Sequence, residues 1–81
     1  MTIDIYSTPT CGFCKSLKEF LKSAKIDYAE HNVALSDKDL TQMQSFSGGF
    51  QVPVIVLNKG TKEQVVQTGF DPQWLRKNLS L

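Results

Sequence analysis

The chain has 81 residues, enough to bury the core of one small domain and too few for two, so residues 1–81 are expected to form a single domain. Nine Lys and Arg against eight Asp and Glu leave a net charge of +1, which argues against both a nucleic-acid footprint and an acidic tail. No apolar run approaches the ~20 residues of a membrane span, and the opening MTIDIYSTP lacks a basic stretch followed by an apolar one, so the expectation is a cytoplasmic monomer with no membrane partner.

Ile3 and Ile5 alternate with Thr2, Asp4 and Tyr6, the period-two pattern of a half-buried strand that ends at Ser7-Thr8-Pro9. From Gly12 onward Phe13, Leu17, Phe20, Leu21 and Ala24 recur at helical spacing, with Lys15, Lys18, Glu19, Lys22 and Lys25 between them. A helix therefore begins at or just after Cys11. A second strand is predicted across Ile26–Val33. Ser36-Asp37-Lys38-Asp39 reads as a capping box opening a helix through Leu40, Met43 and Phe46, which Ser47-Gly48-Gly49 ends.

Val52-Pro53-Val54-Ile55-Val56-Leu57 is a continuous apolar run suited to a strand buried on both faces, with Pro53 at its start. Asn58–Thr61 makes the turn into a fourth strand near Gln64–Thr68. Asp71-Pro72 is an N-cap followed by proline at the first helical position, and Trp74, Leu75 and Leu79 supply the apolar side of a last helix. The order is βαβαββα: a parallel βαβ unit, then a hairpin, giving an α/β fold with helices on both faces of a small four-stranded mixed sheet.

The only two cysteines, Cys11 and Cys14, stand in STPTCGFCK, between the first strand and the first helix. Their spacing lets the sulfurs meet with little backbone change. Cys14 lies on the stripe of Leu17 and Leu21 and is expected to be sheltered, whereas Cys11 precedes the helix and is expected to be exposed. A sulfur at a helix start faces unpaired N–H groups and the positive end of the dipole, where thiol pKa values fall to roughly 3.5–7.5 against ~8.5 for free cysteine. Lys15 adds a charge of the same helpful sign. Cys11 is thus the expected nucleophile, forming a mixed disulfide with a substrate, and Cys14 the thiol that resolves it. In a reducing compartment such a disulfide is transient rather than structural, and C-x-x-C between a strand and a helix reads as a thioredoxin-like redox pair. Structural zinc sites usually take four protein ligands, and His31 is the only other strong donor, so no metal site is expected and His31 is read as a surface or hydrogen-bonded residue.

Four stretches, YSTPTCGFC, HNV, QVPVIV and TGFDPQWL, make nearly the whole chain resemble the glutaredoxins and glutaredoxin-like redoxins of the thioredoxin superfamily. The resemblance implies a thioredoxin-like fold, dithiol–disulfide oxidoreductase activity on protein or low-molecular-weight disulfides, and no tightly bound cofactor. It also implies a cis peptide between Val52 and Pro53 beside the cysteines, with Val52 backbone groups pairing to the substrate. A groove of Thr8, Thr10, Phe13, Gln51, Val52, Pro53, Gly69, Phe70 and Asp71 follows from the same likeness. From the residues alone Val52 is a core residue, Pro53 a strand start, Gly69 a turn, Phe70 a packing residue and Asp71 a cap. Phe13 lies off the Leu17–Leu21 stripe, which favours a contact role.

Glutathione-binding members usually carry Lys or Arg where this chain has Thr8, commonly Thr where it has Gln51, and a second acidic residue where it has Pro72. Gly-Phe-Asp-Pro resembles the entry to the last helix of redoxins that serve ribonucleotide reductase and take electrons from thioredoxin reductase. The expected partners are a disulfide-containing substrate and, as donor, glutathione or thioredoxin reductase. Because CGFC differs at one residue from the CGFS of cluster-binding monothiol glutaredoxins, the alternative reading is an iron–sulfur or metal-binding redoxin module using Cys11.

Overall fold

The structure is a computed structural model and describes residues 2–79. The elements follow the expected order: β1 (Ile3–Ser7), α1 (Gly12–Ser23), β2 (Ala29–Asn32), α2 (Asp37–Ser47), β3 (Val54–Leu57), β4 (Val65–Thr68) and α3 (Pro72–Leu79). One four-stranded sheet has the order β2-β1-β3-β4. The pair β1/β2 is parallel, with α1 as the crossover such a pair requires, whereas β1/β3 and β3/β4 are antiparallel. Left-handed Asn58 (φ 54) and Gly60 (φ 79) turn the chain between β3 and β4.

Two apolar clusters lie on opposite sides of the sheet. Leu17 and Leu21 of α1 and Leu75 of α3 pack on Ile3, Ile5, Ile55 and Leu57, while Met43 of α2 packs on Tyr6, Val33, Val54 and Val56. All four residues of β3 are buried, as its unbroken apolar run predicts. The sheet is thereby anchored where it carries the cysteine loop, at the end of β1.

Four expectations are corrected. β1 is not half-buried: Tyr6 is 0% exposed, because α2 covers the face that alternation alone assigns to solvent, and its hydroxyl donates to Gln42 Oε1 at 2.6 Å. β2 is shorter than Ile26–Val33, because the chain first has to leave α1. Lys25 takes a left-handed φ of 57, and its N–H and that of Ile26 donate to the carbonyls of Lys22 (3.0 Å) and Leu21 (2.9 Å), a Schellman exit built on lysine in place of the usual glycine. β3 begins at Val54 instead of Val52, after a buried Pro53 that has no N–H for the ladder. At α2, Ser36 Oγ accepts the Asp39 N–H at 3.2 Å as a cap should. The Asp39 carboxylate, which a capping box turns back to the Ser36 amide, instead lies 3.5 Å from His31 Nδ1. His31 is indeed hydrogen-bonded: its Nε2 is 2.8 Å from Asp4 Oδ2, and its ring stacks on Tyr6.

Candidate active site

β1 delivers the chain to a loop whose last residue, Cys11, is the N-cap of α1 in an extended conformation (φ −85, ψ 116). Its carbonyl accepts the Lys15 N–H at 3.2 Å, and its own N–H donates to the Thr8 carbonyl at 3.4 Å. Where Ser or Asp would place an oxygen, Cys11 places sulfur: Sγ accepts the Cys14 N–H at 3.2 Å. The first turn of α1 carries no acidic residue to oppose an anion there. On its other side Cys11 Sγ lies 3.8 Å from the Val52 carbonyl oxygen, to which the thiol donates.

The two thiols are free and differ in setting: Cys11 is half-buried, and Cys14 is fully buried on the inner stripe of α1 with Leu17 and Leu21. Burial pushes the Cys14 thiol up to about 12, with the neighbouring Cys11 sulfur adding to the effect and the Thr8 amide and the Lys18 ammonium opposing it. Cys14 is sheltered as expected, whereas Cys11 is half-buried where exposure was expected, so the two sulfurs keep the expected order of accessibility with a smaller difference.

Around the sulfurs the structure brings together Thr8, through its carbonyl, and Val52, through its own; the Val52–Pro53 peptide is cis. Pro53 is tied to the loop before α3, its carbonyl accepting the Gly69 N–H at 2.8 Å, and Gly69 holds a φ of 87 that suits glycine. Thr10 and Gln51 are exposed, and Phe13 is 67% exposed. Phe70 turns inward, packing on the α1/α3 side with its ring edge-on to Phe20 at 6.0 Å. Asp71 Oδ1 accepts the N–H groups of Gln73 (3.0 Å) and Trp74 (3.2 Å), so this carboxylate itself occupies the start of α3.

Sequence reading passed over two features. Phe50, 76% exposed, lines a shallow depression with Ser47, Gly49, Gln51 and Thr68; the available signal was an aromatic residue directly after a Gly-Gly pair. Lys18 Nζ meets Glu30 Oε2 at 2.7 Å, and the same oxygen accepts from the Ser7 hydroxyl at 3.0 Å. The signal there was the one-turn spacing of Lys18 from Cys14. A larger surface hollow lies elsewhere, between the end of α1 and β2, among Lys22, Lys25, Ile26, Asp27, Tyr28 and Glu30. Among the described residues no group of three or more His, Cys, Asp or Glu is placed to hold a metal ion, and no helix is long and apolar enough to cross a membrane.

The glutaredoxin family model matches residues 3–60. A glutaredoxin-like 8.6 kDa protein of a rubredoxin operon in Clostridium pasteurianum is 53% identical over 53 residues, 65% of this chain and 71% of that one. Methanoredoxin from Methanosarcina acetivorans superposes with a TM-score of 0.85 at 24% identity, covering 99% of this chain and 85% of its own. The glutaredoxin-like NrdH-redoxin of Escherichia coli gives 0.80 at 22% identity, covering 95% and 93%. These two likenesses establish the thioredoxin fold. The match of the family model to residues 3–60, most of this chain, joins with the paired cysteines at the head of α1 to suggest thiol redox activity and shows that the chain belongs to the glutaredoxin family.

Proposed function

We propose that the chain is a dithiol–disulfide oxidoreductase acting on protein or small-molecule disulfides, with Cys11 as nucleophile and Cys14 as resolving thiol. The observation that carries this reading is the unequal pair: a half-buried sulfur capping α1 and accepting the Cys14 N–H at 3.2 Å, with its buried partner one turn on. The Cys11 thiolate attacks one sulfur of the substrate disulfide, forming a mixed disulfide and releasing the first substrate thiol. Cys14 then attacks Cys11, the second substrate thiol leaves, and two electrons have passed from the dithiol to the substrate. Thiol–disulfide exchange itself calls for no metal or tightly bound cofactor.

The substrate lies in this reading along Thr8, Thr10, Phe13, Gln51, Val52, Pro53, Gly69, Phe70 and Asp71, with backbone pairing at Val52. Exposed Phe13 supplies the apolar contact. The oxidised pair is returned to the dithiol by glutathione or by thioredoxin reductase. Uncharged Thr8 counts against glutathione, since a charge-assisted bond to its glycyl carboxylate contributes ~1.5–3 kcal/mol.

The test offers oxidised protein either glutathione or thioredoxin reductase with NADPH and follows reduction of a protein disulfide. Cys11→Ser is expected to abolish turnover, and Cys14→Ser to stop at a mixed disulfide visible as added mass. Full activity in Cys11→Ser would defeat the mechanism.

A further inference from the structure

Resolution requires the Cys14 sulfur to become a thiolate, yet that sulfur is buried and its thiol is held up to about 12, chiefly by burial. The residue one turn further along α1 is Lys18, whose Cβ therefore stands roughly 5–6 Å from that of Cys14. A lysine on an ordinary helix surface leaves its ammonium in water, mobile on a long stem. Lys18 is instead tied down. Its Nζ donates to Glu30 Oε2 at 2.7 Å, crossing from α1 to the edge strand β2, and the same oxygen accepts from the Ser7 hydroxyl at 3.0 Å.

Ser7 is itself buried at the end of β1, next to Thr8, whose amide acts on the Cys14 sulfur. Helix, central strand and edge strand thus converge on one carboxylate oxygen, and that oxygen holds the ammonium of the residue one turn along from the resolving thiol. The groups facing this thiol are Cys11 ahead of α1, the Thr8 amide after β1 and Lys18 of α1, with Glu30 of β2 and Ser7 of β1 behind Lys18. Lys18 and Cys14 act on each other: the ammonium opposes the burial that keeps the thiol protonated.

We propose that Lys18, anchored by Glu30 and through it by Ser7, is a positioning residue for the second half of the exchange, its ammonium held where it favours the Cys14 thiolate attacking the mixed disulfide. The inference rests on the dithiol mechanism above. In the step, Cys14 gives its proton to solvent and its sulfur bonds to that of Cys11. The bond from Cys11 to the substrate sulfur breaks, and the departing thiolate takes up a proton. The substrate is reduced and the protein dithiol oxidised, with no further reagent.

An aromatic disulfide that releases a coloured thiolate, such as Ellman's reagent, separates the two halves. Mixed with reduced protein in a stopped-flow instrument, it gives a first equivalent of colour as Cys11 attacks and a second as Cys14 resolves. Removing a unit charge at this distance from a partly screened site is expected to slow the second phase of Lys18→Met about three- to tenfold at neutral pH. The pH profile of that phase should move to higher pH, the first phase should change far less, and Lys18→Arg should restore the second phase. An unchanged rate and pH profile of the second phase in Lys18→Met overturns the inference. Equal slowing of both phases with a lowered melting temperature overturns it too, by assigning Lys18 a purely structural part. A wild-type protein that releases only one equivalent defeats the dithiol reading itself, which keeps the two failures apart.

Discussion

Replacing Tyr6 with phenylalanine isolates the hydroxyl that lies under α2. In the native protein this hydroxyl donates to Gln42 Oε1 at 2.6 Å and accepts from Lys59 Nζ at 3.4 Å. Its loss orphans neither neighbour, because Lys59 still donates to Gln42 Oε1 at 3.3 Å and lies 3.4 Å from Asp4 Oδ2. Phenylalanine also keeps the stack on His31 at 4.6 Å and the contact with Phe46 at 6.1 Å. What remains is one net hydrogen bond, about 0.5–1.5 kcal/mol, in place of the larger penalty of about 1–3 kcal/mol for an unsatisfied buried group. For a domain of this size each kcal/mol moves the melting temperature by about 4–8 °C.

Urea unfolding followed by far-UV circular dichroism measures the difference, and disulfide reduction is expected to be unaffected. The pH dependence adds a sign. Burial, the leading cause, raises the Tyr6 phenol above its ordinary 10.0. The native state therefore holds this proton more tightly than the unfolded chain, and the stability it supplies is complete below about pH 10 and lost as pH rises through the native value. Tyr6→Phe lacks that term, so its deficit against wild type should shrink in alkali. A loss above about 2.5 kcal/mol at neutral pH would mean that Gln42 or Lys59 is stranded after all and would refute the reasoning.

Lys25→Gly should stabilise the protein by about 0.5–1 kcal/mol, because relief of the left-handed φ of 57 outweighs the added freedom of the unfolded chain; any destabilisation in urea titrations refutes it. The buried Cys14 thiol, raised from 9.0 to about 12, contributes stability to the reduced protein that is full below about pH 9 and disappears as pH rises toward the native value; thermal melts should show a flatter profile there in Cys14→Ala than in wild type. Phe13→Ala should leave stability within about 0.5 kcal/mol, since the ring is 67% exposed, yet lower kcat/KM for a protein disulfide by about fivefold or more, with a smaller effect on a small disulfide.

The parts of the fold that local chemistry dictates were legible from the residues. Asp71-Pro72 announced a helix start, and Asp71 caps α3 through two backbone N–H groups. Ser36 did the same for α2, and the unbroken run Val54–Leu57 became the strand buried at every position. Tyr6 was misplaced for the opposite reason. Alternation with Ile3 and Ile5 describes the side of β1 that faces α1 and α3, but only the return of α2, some thirty residues later in the chain, decides that the other side is dry as well. Lys25 was illegible on different grounds: its left-handed conformation is imposed by the Schellman bonds and by Ile26 packing back on the core, and a lysine carries no mark of it.

The same boundary runs through the candidate site. The difference in burial between Cys11 and Cys14 follows from a strand-to-helix junction and a three-residue spacing, both of which are local. Once the resolving thiol is buried by its own helix stripe, however, the ammonium that eases its deprotonation, Lys18 of the same helix, has to be held in place by residues of other elements. Ser7 and Glu30 are 23 residues apart in sequence, and Lys18 and Glu30 are 12 apart. Glu30 reaches both because the parallel pairing of β1 with β2 sets Ser7 beside Asn32 and brings Glu30 alongside α1. A motif search finds two sulfurs; the sheet register supplies the carboxylate that ties the neighbouring ammonium down. Substitutions that shift that register should therefore disturb resolution before they disturb attack, because Cys11 draws its nearest contact, the Cys14 amide, from its own helix.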